Sequence, residues 1–190
     1  ASTSYTATHN AVEAMDSTGA AMSGVFNDSA LFDVGQRIGV GDIYRIDRGF
    51  ASWNLTGLSA TTSITTGEIL VCIASDVQVN TAFDITLVSA TTGVVANPLI
   101  STDYGDIINL TSSYGTVNIA TGTTSVTQGK WFTIPINSSG IAALNLAGTT
   151  AFVFRSSRDI NTLTPGSSAV LQEYVQIDTD PAPRLVLRIV

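Results

Sequence analysis

From Val25 to Val190, Gly, Asn, Asp, Ser and Pro cut the chain into about ten short runs of alternating apolar and polar residues. Turn signals recur every ~8–12 residues, and strands do not alternate with long helices, so βαβ architectures are excluded. The pattern implies an all-β fold: an antiparallel β-sandwich of jelly-roll type with one or two short helices. The clearest run is Arg48-Gly-Phe-Ala-Ser-Trp-Asn-Leu55. Period two places Ala51, Trp53 and Leu55 on one face, expected to be the core face, and Phe50, Ser52 and Asn54 on the other. A turn at Thr56–Ala60 leads to an apolar return strand, Glu68–Ala74.

Before this unit, strands are expected at Val25-Phe26, Ala30–Val34, Gln36–Val40 and Ile43–Ile46, broken at Gly35 and at Gly39–Asp42. After it come Phe83–Ser89, Gly93–Ala96 with a turn at Asn97-Pro98, and weaker strands at Ile107–Leu110 and Thr116–Ile119. Trp131–Ile136 alternates with Trp131, Thr133 and Pro135 outward, and Pro135 predicts an edge strand because it cannot donate to a ladder. Ser138–Leu146 reads as a helix, Ala151–Arg155 as a strand and Arg158–Ser168 as a loop. Glu173–Ile177 and Arg184–Val190 close the chain, with Leu185, Leu187 and Ile189 toward the core and Arg188 outward. Residues 1–24 fit this pattern least. Ser2–Thr8 suggests an extended stretch, and Ala11–Met15 with Ala20–Met22 a short helix. They are expected to form an N-terminal arm that packs on its own domain or reaches a neighbouring subunit, while residues 25–190 form one sandwich domain.

Composition narrows the chemistry. The chain is 44% hydrophobic, enough for a full core, and only 12% charged, with net charge −7. Nucleic acid needs clustered cations that release counterions, and the eight Lys and Arg are scattered along the sequence. No run approaches the ~20 apolar residues of a membrane-spanning helix. Cys72 is the lone cysteine and lies in an apolar strand, as a buried free thiol does. His9 is the lone histidine. An imidazole–thiolate zinc site or a serine triad therefore has almost no material to draw on, and no Gly-x-Ser-x-Gly elbow or phosphate loop occurs. Two convergent carboxylates would suit a glycosidase, but the order of the acids singles out no pair. Enzymatic activity is not expected.

Two site types remain. Calcium takes six to eight oxygens, often from loop acids, and Asp28, Asp33, Asp42 and Asp47 crowd the first strand connections. Sugar recognition uses exposed aromatic faces. Trp131 points outward by alternation, and Tyr104 and Tyr114 lie in the loop-rich middle.

The run Arg48–Leu55 with its return strand resembles the Arg-Gly-Phe signature of DNRLRE-type domains, jelly-roll modules of secreted and surface proteins similar to carbohydrate-binding modules. The later strands at Trp131-Phe132 and Phe152–Arg155 and the closing stretch Ala182-Pro-Arg-Leu-Val-Leu-Arg188 are similar to the family in order. Ala51 and Asn54 stand where the family has Leu and Asp, and the order of Pro183 and Arg184 is reversed. The resemblance implies a fold and no catalytic residues. The expected function is a non-enzymatic structural subunit of an extracellular assembly, such as a phage or virion decoration or fibre protein contacting itself or other structural subunits. The alternatives are a stand-alone carbohydrate-binding or adhesion module using Trp131, Tyr104 and Tyr114, and a surface filament joined by strand exchange through residues 1–12.

Overall fold

The structure is a computed structural model that describes residues 4–10, 31–39, 43–75, 79–89, 102–122, 127–165 and 171–190. Among these residues the elements run α1 (Tyr5–His9), β1 (Leu31–Gly39), β2 (Ile43–Asp47), β3 (Gly49–Asn54), β4 (Ile64–Cys72), β5 (Phe83–Ser89), α2 (Asp103–Asp106), β6 (Ser113–Ile119), β7 (Trp131–Ile136), α3 (Ser138–Ala142), β8 (Thr149–Ser156), α4 (Ser157–Ile160), β9 (Leu171–Asp178) and β10 (Arg184–Ile189).

The strands form an antiparallel β-sandwich. One sheet has the order β2-β1-β9 and the other β10-β4-β7-β6-β5-β8-β3. The large sheet curls until its two edges approach each other. Trp53 in β3, at one edge, donates its indole N–H to the carbonyl of Pro183, just ahead of β10 at the other edge, at 3.1 Å. The small sheet is tied to the large one where the Ala74 amide donates to the Gln176 carbonyl at 2.9 Å, beside a bridge between Ile73 and Ile177. Between the layers lie Ile69, Val71, Ile85, Leu87, Ile134, Phe152 and Phe154 of the large sheet, with Val34, Val175 and Ile177 of the small one. Each of these is essentially inaccessible to solvent. The alternation in Arg48–Leu55 is observed: Ala51 and Trp53 pack on this core, and the Trp53 ring lies 6.4 Å from that of Phe152.

β5 and the Phe152–Ser156 end of β8 are buried on both faces. On the outer face Val88 and Val153 meet Ile107, with Phe50, Leu110 and Ile160 packed around them. α2 and the turn after it supply this cover. The sequence predicts a strand at Ile107–Leu110. Instead Ile107 caps α2, and its side chain is needed against Val88 and Val153.

Other expectations are corrected in the same way. Ser2–Thr8 does not run extended through its described part: Ser4 caps α1 by accepting from the Ala7 amide at 3.3 Å. The two strands expected around Gly35 are one, β1. Gly35 passes through with φ +138°, and any Cβ there would overlap the Glu173 carbonyl and Tyr174. β7 is internal, between β4 and β6. Pro135 is tolerated because its carbonyl, and hence its missing donor, faces Gly115 of β6, where Gly115–Ile136 is the one strand register pair. The helix after β7 stops at Ala142, and the first residues of the loop expected at Arg158–Ser168 lie in α4, capped by the Ser156 hydroxyl. Leu185 and Leu187 pack on the core, but the register shifts after Arg188 and leaves Ile189 49% exposed. The expected segments 11–22, Val25-Phe26 and 93–98 lie outside the described residues.

Gly49 opens β3 where β1 crosses it, and a methyl group there would overlap the Phe32 ring. Gly49→Ala is therefore expected to cost about 1–3 kcal/mol by overpacking, seen as a lower urea midpoint. Gly57→Ala, with open space around it, is the control and should leave the midpoint nearly unchanged.

Candidate functional site

β8 runs directly into α4, and this junction gathers the buried charge. Ser156 ends the strand and accepts from the Asp159 amide at 3.0 Å, which fixes Asp159 in the first helical turn. Arg155 points to the outer face of the large sheet, beside Val153. Its Nε donates to Asp159 Oδ2 at 2.7 Å, and its Nη1 donates to the carbonyls of Ile107, Ile108 and Leu110. Arg48, between β2 and β3, completes the group. Its Nε reaches Asp159 Oδ2 at 2.9 Å and its Nη2 reaches Oδ1 at 2.8 Å. Arg48 also donates to the carbonyls of Tyr104 and His9, and its guanidinium lies 4.1 Å from the centre of the Tyr104 ring. The side chains of Arg48 and Asp159 are fully buried.

α1 closes the site. His9 Nε2 lies 2.9 Å from the Asp159 carbonyl and 3.5 Å from its carboxylate. Tyr104 donates its hydroxyl to the carbonyls of Thr8 and Ile46. Tyr5 donates to Gln36 Oε1 at 3.2 Å, and Gln36 passes the chain on to Glu173 Oε2 at 2.7 Å, which also accepts from Arg158. Glu173 Oε1 is buried with no hydrogen-bond partner among the described residues.

The electrostatics follow from this geometry. Burial alone would push the Asp159 carboxyl up. The hydrogen bonds and charge of Arg48, then of Arg155, outweigh it and hold the group at about 2. Desolvation, reinforced by the charge of Asp159, pushes the Tyr5 phenol up to about 12, and desolvation raises Tyr104 as well. Asp159 is thus a permanent anion with both oxygens engaged. It is a poor proton carrier near neutral pH and an effective cross-link between β3, β8, α1 and α2.

The residues singled out from sequence lie elsewhere or play other parts. Trp131 is 42% exposed on the outer face of β7, and Arg184 of β10 lies 5.3 Å from the centre of its ring. Tyr104 turns its hydroxyl inward. Tyr114 packs on Phe152, with ring centres 6.3 Å apart, near the Ile136 end of β7. Five residues of strand, about 17 Å, separate that end from Trp131, so these aromatics do not form one platform. Asp33 and Asp47 do converge, but on Arg37, whose Nη2 lies 2.5 Å from Asp33 and 3.3 Å from Asp47. The guanidinium stands between the two carboxylates, where a cation would otherwise sit. Desolvation raises the Asp47 carboxyl, with Arg37 opposing. Asp28 and Asp42 lie outside the described residues, and the described residues contain no cluster of three or more metal-ligating His, Cys, Asp or Glu. A groove of about 380 Å³ lies between the β3–β4 connection and α3, lined by Thr62, Ile64, Ile141, Leu144 and Asn145.

The Arg48–Arg155–Asp159 group was not anticipated from sequence. Its one local signal is Ser156-Ser-Arg-Asp159 straight after an apolar strand, a helix-start pattern. Compared with known proteins, the chain matches no protein-family model, and no curated sequence is significantly similar to it.

Removing the Asp159 charge leaves two buried guanidinium groups uncompensated, so Asp159→Asn is expected to cost about 3–5 kcal/mol in denaturant melts. The folded-state pKa lies below the unfolded value, so the stabilisation is complete above about pH 4. It is lost as pH falls toward about 2, and the stability curve of D159N should be flatter across that window.

Proposed function

We propose that the chain is a non-enzymatic structural subunit of an extracellular assembly, of the decoration or fibre kind carried on virions, and that it docks through the β10–β4–β7 side of its large sheet. The observation that carries this reading is the exposed apolar surface on that side. Trp131 and Val186 are 42% and 43% exposed, and Ile189 and Val190 follow at the end of β10. They stand at separate points of the sheet, Trp131 level with Cys72 and Val186 level with Glu68, and an exposed Trp is of the type that interfaces favour. The use of Arg48, Arg155 and Asp159 as an internal cross-link supports the same reading, because the most concentrated buried charge is engaged in holding the fold. The resemblance to surface jelly-roll modules belongs with this proposal and adds the extracellular setting.

A second reading is a carbohydrate-binding module, and Trp131 favours it as an exposed indole beside a guanidinium. Light scattering over a concentration series, paired with a glycan array, separates the two. The structural reading expects a mass above the 19.8 kDa of one chain at high concentration, reduced by Trp131→Ala or Thr133→Arg. A constant single-chain mass with saturable glycan binding lost in W131A would establish the second reading instead.

A further inference from the structure

The positive charges of this acidic chain are divided unevenly. Arg37, Arg45, Arg48, Arg155 and Arg158 all form ion pairs with Asp or Glu within 4 Å. Arg184 and Arg188 form none with the described residues. They stand four apart on β10, both exposed, with exposed Val186 between them, and the Arg184 guanidinium lies 5.3 Å from the centre of the Trp131 ring. β10 is an edge strand: among the described residues it pairs with β4 alone. No described strand pairs with its other side, which presents backbone donors and acceptors.

We propose that β10 is an acceptor for an extended acidic segment of another protein, which adds to the sheet edge as an antiparallel strand. This rests on the docking role proposed above and names the partner's chemistry. Main-chain hydrogen bonds to β10 supply affinity, and alternate side chains supply specificity. Arg184 and Arg188 lie about 13 Å apart along the strand, the span of two carboxylates at positions i and i+4 of an extended partner. An apolar residue at i+2 then falls opposite Val186. The recognised pattern is acid-x-apolar-x-acid.

A second copy of this chain does not fit. None of its fifteen acidic residues stands four positions from another. Two β10 strands paired about Val186 would set Arg184 opposite Arg188, and like charges directly opposite destabilise a sheet. An acidic glycan would match the two arginines but would leave the backbone edge unused.

The test uses the intact chain and a fluorescent peptide, Thr-Glu-Thr-Val-Thr-Glu-Thr with blocked ends, read by anisotropy. The expected result is saturable binding that weakens with salt and falls roughly tenfold or more in Arg184→Glu/Arg188→Glu. A Lys-for-Glu peptide should not bind. Both substitutions are on exposed side chains, so circular dichroism melts should match wild type. Val186→Asp gives an independent variant that should also lose the peptide. No peptide binding, or binding unchanged in the double variant, overturns the proposal. So does saturable binding of polygalacturonate, sensitive to the double variant, in place of the peptide. A peptide result of either sign is separable from the docking role, because self-association is measured without peptide and through Trp131 and Thr133.

Discussion

One buried carboxylate ties the start of β3 and the end of β8 to the segments that cover the outer face of the large sheet. Asp159 takes hydrogen bonds from Arg48, at the start of β3, and from Arg155, in β8. The same arginines donate to the carbonyls of Tyr104, His9, Ile107, Ile108 and Leu110, so the covering segments on the outer face are anchored to one point. Burying three charges is costly, and this cluster is stable only because nearly every donor finds an oxygen. Such a group contributes less to net stability than to specifying which elements meet. An apolar replacement for α2 could slide over Val88 and Val153, whereas carbonyls aimed at a guanidinium cannot.

Around that anchor the large sheet curls. Its edges approach at Trp53 and Pro183, and the small sheet is tied to it through β9. Curling brings the edges together at one corner, and among the described residues no further strand pairs with the outer side of β10. The exposed arginines on β10 fit this geometry, since charge on an open edge discourages pairing between copies while leaving the edge available to a partner of opposite sign. Internal arginines build the fold, and edge arginines face outward.

Much of the architecture was legible in the residue pattern. Period two identified the core faces of β3, β7 and most of β10, because alternation in a strand is a local consequence of backbone geometry. It placed Trp131 outward and Trp53 inward, as observed. It failed where neighbours overrode local preference. Gly35 looked like a break but is a point of close approach inside a strand. Pro135 looked like an edge marker but lies in an internal strand, turned toward its weakly paired side. Ile107 looked like a strand residue but serves as an outer-face anchor.

What the sequence by itself determined is the class of fold, the strand faces and the scarcity of catalytic and metal-binding residue types. These depend on interactions between residues a few positions apart, or on composition alone. What only the tertiary structure decided is which charges meet. Arg48, Arg155 and Asp159 are separated by up to 111 positions, and Asp33 and Asp47 turn out to share Arg37. No periodicity encodes those meetings, because they are set by how a curled sheet folds its edges and ends together. The same long-range geometry leaves Arg184 and Arg188 without an acidic neighbour among the described residues, and that is what turns an ordinary closing strand into a candidate docking edge.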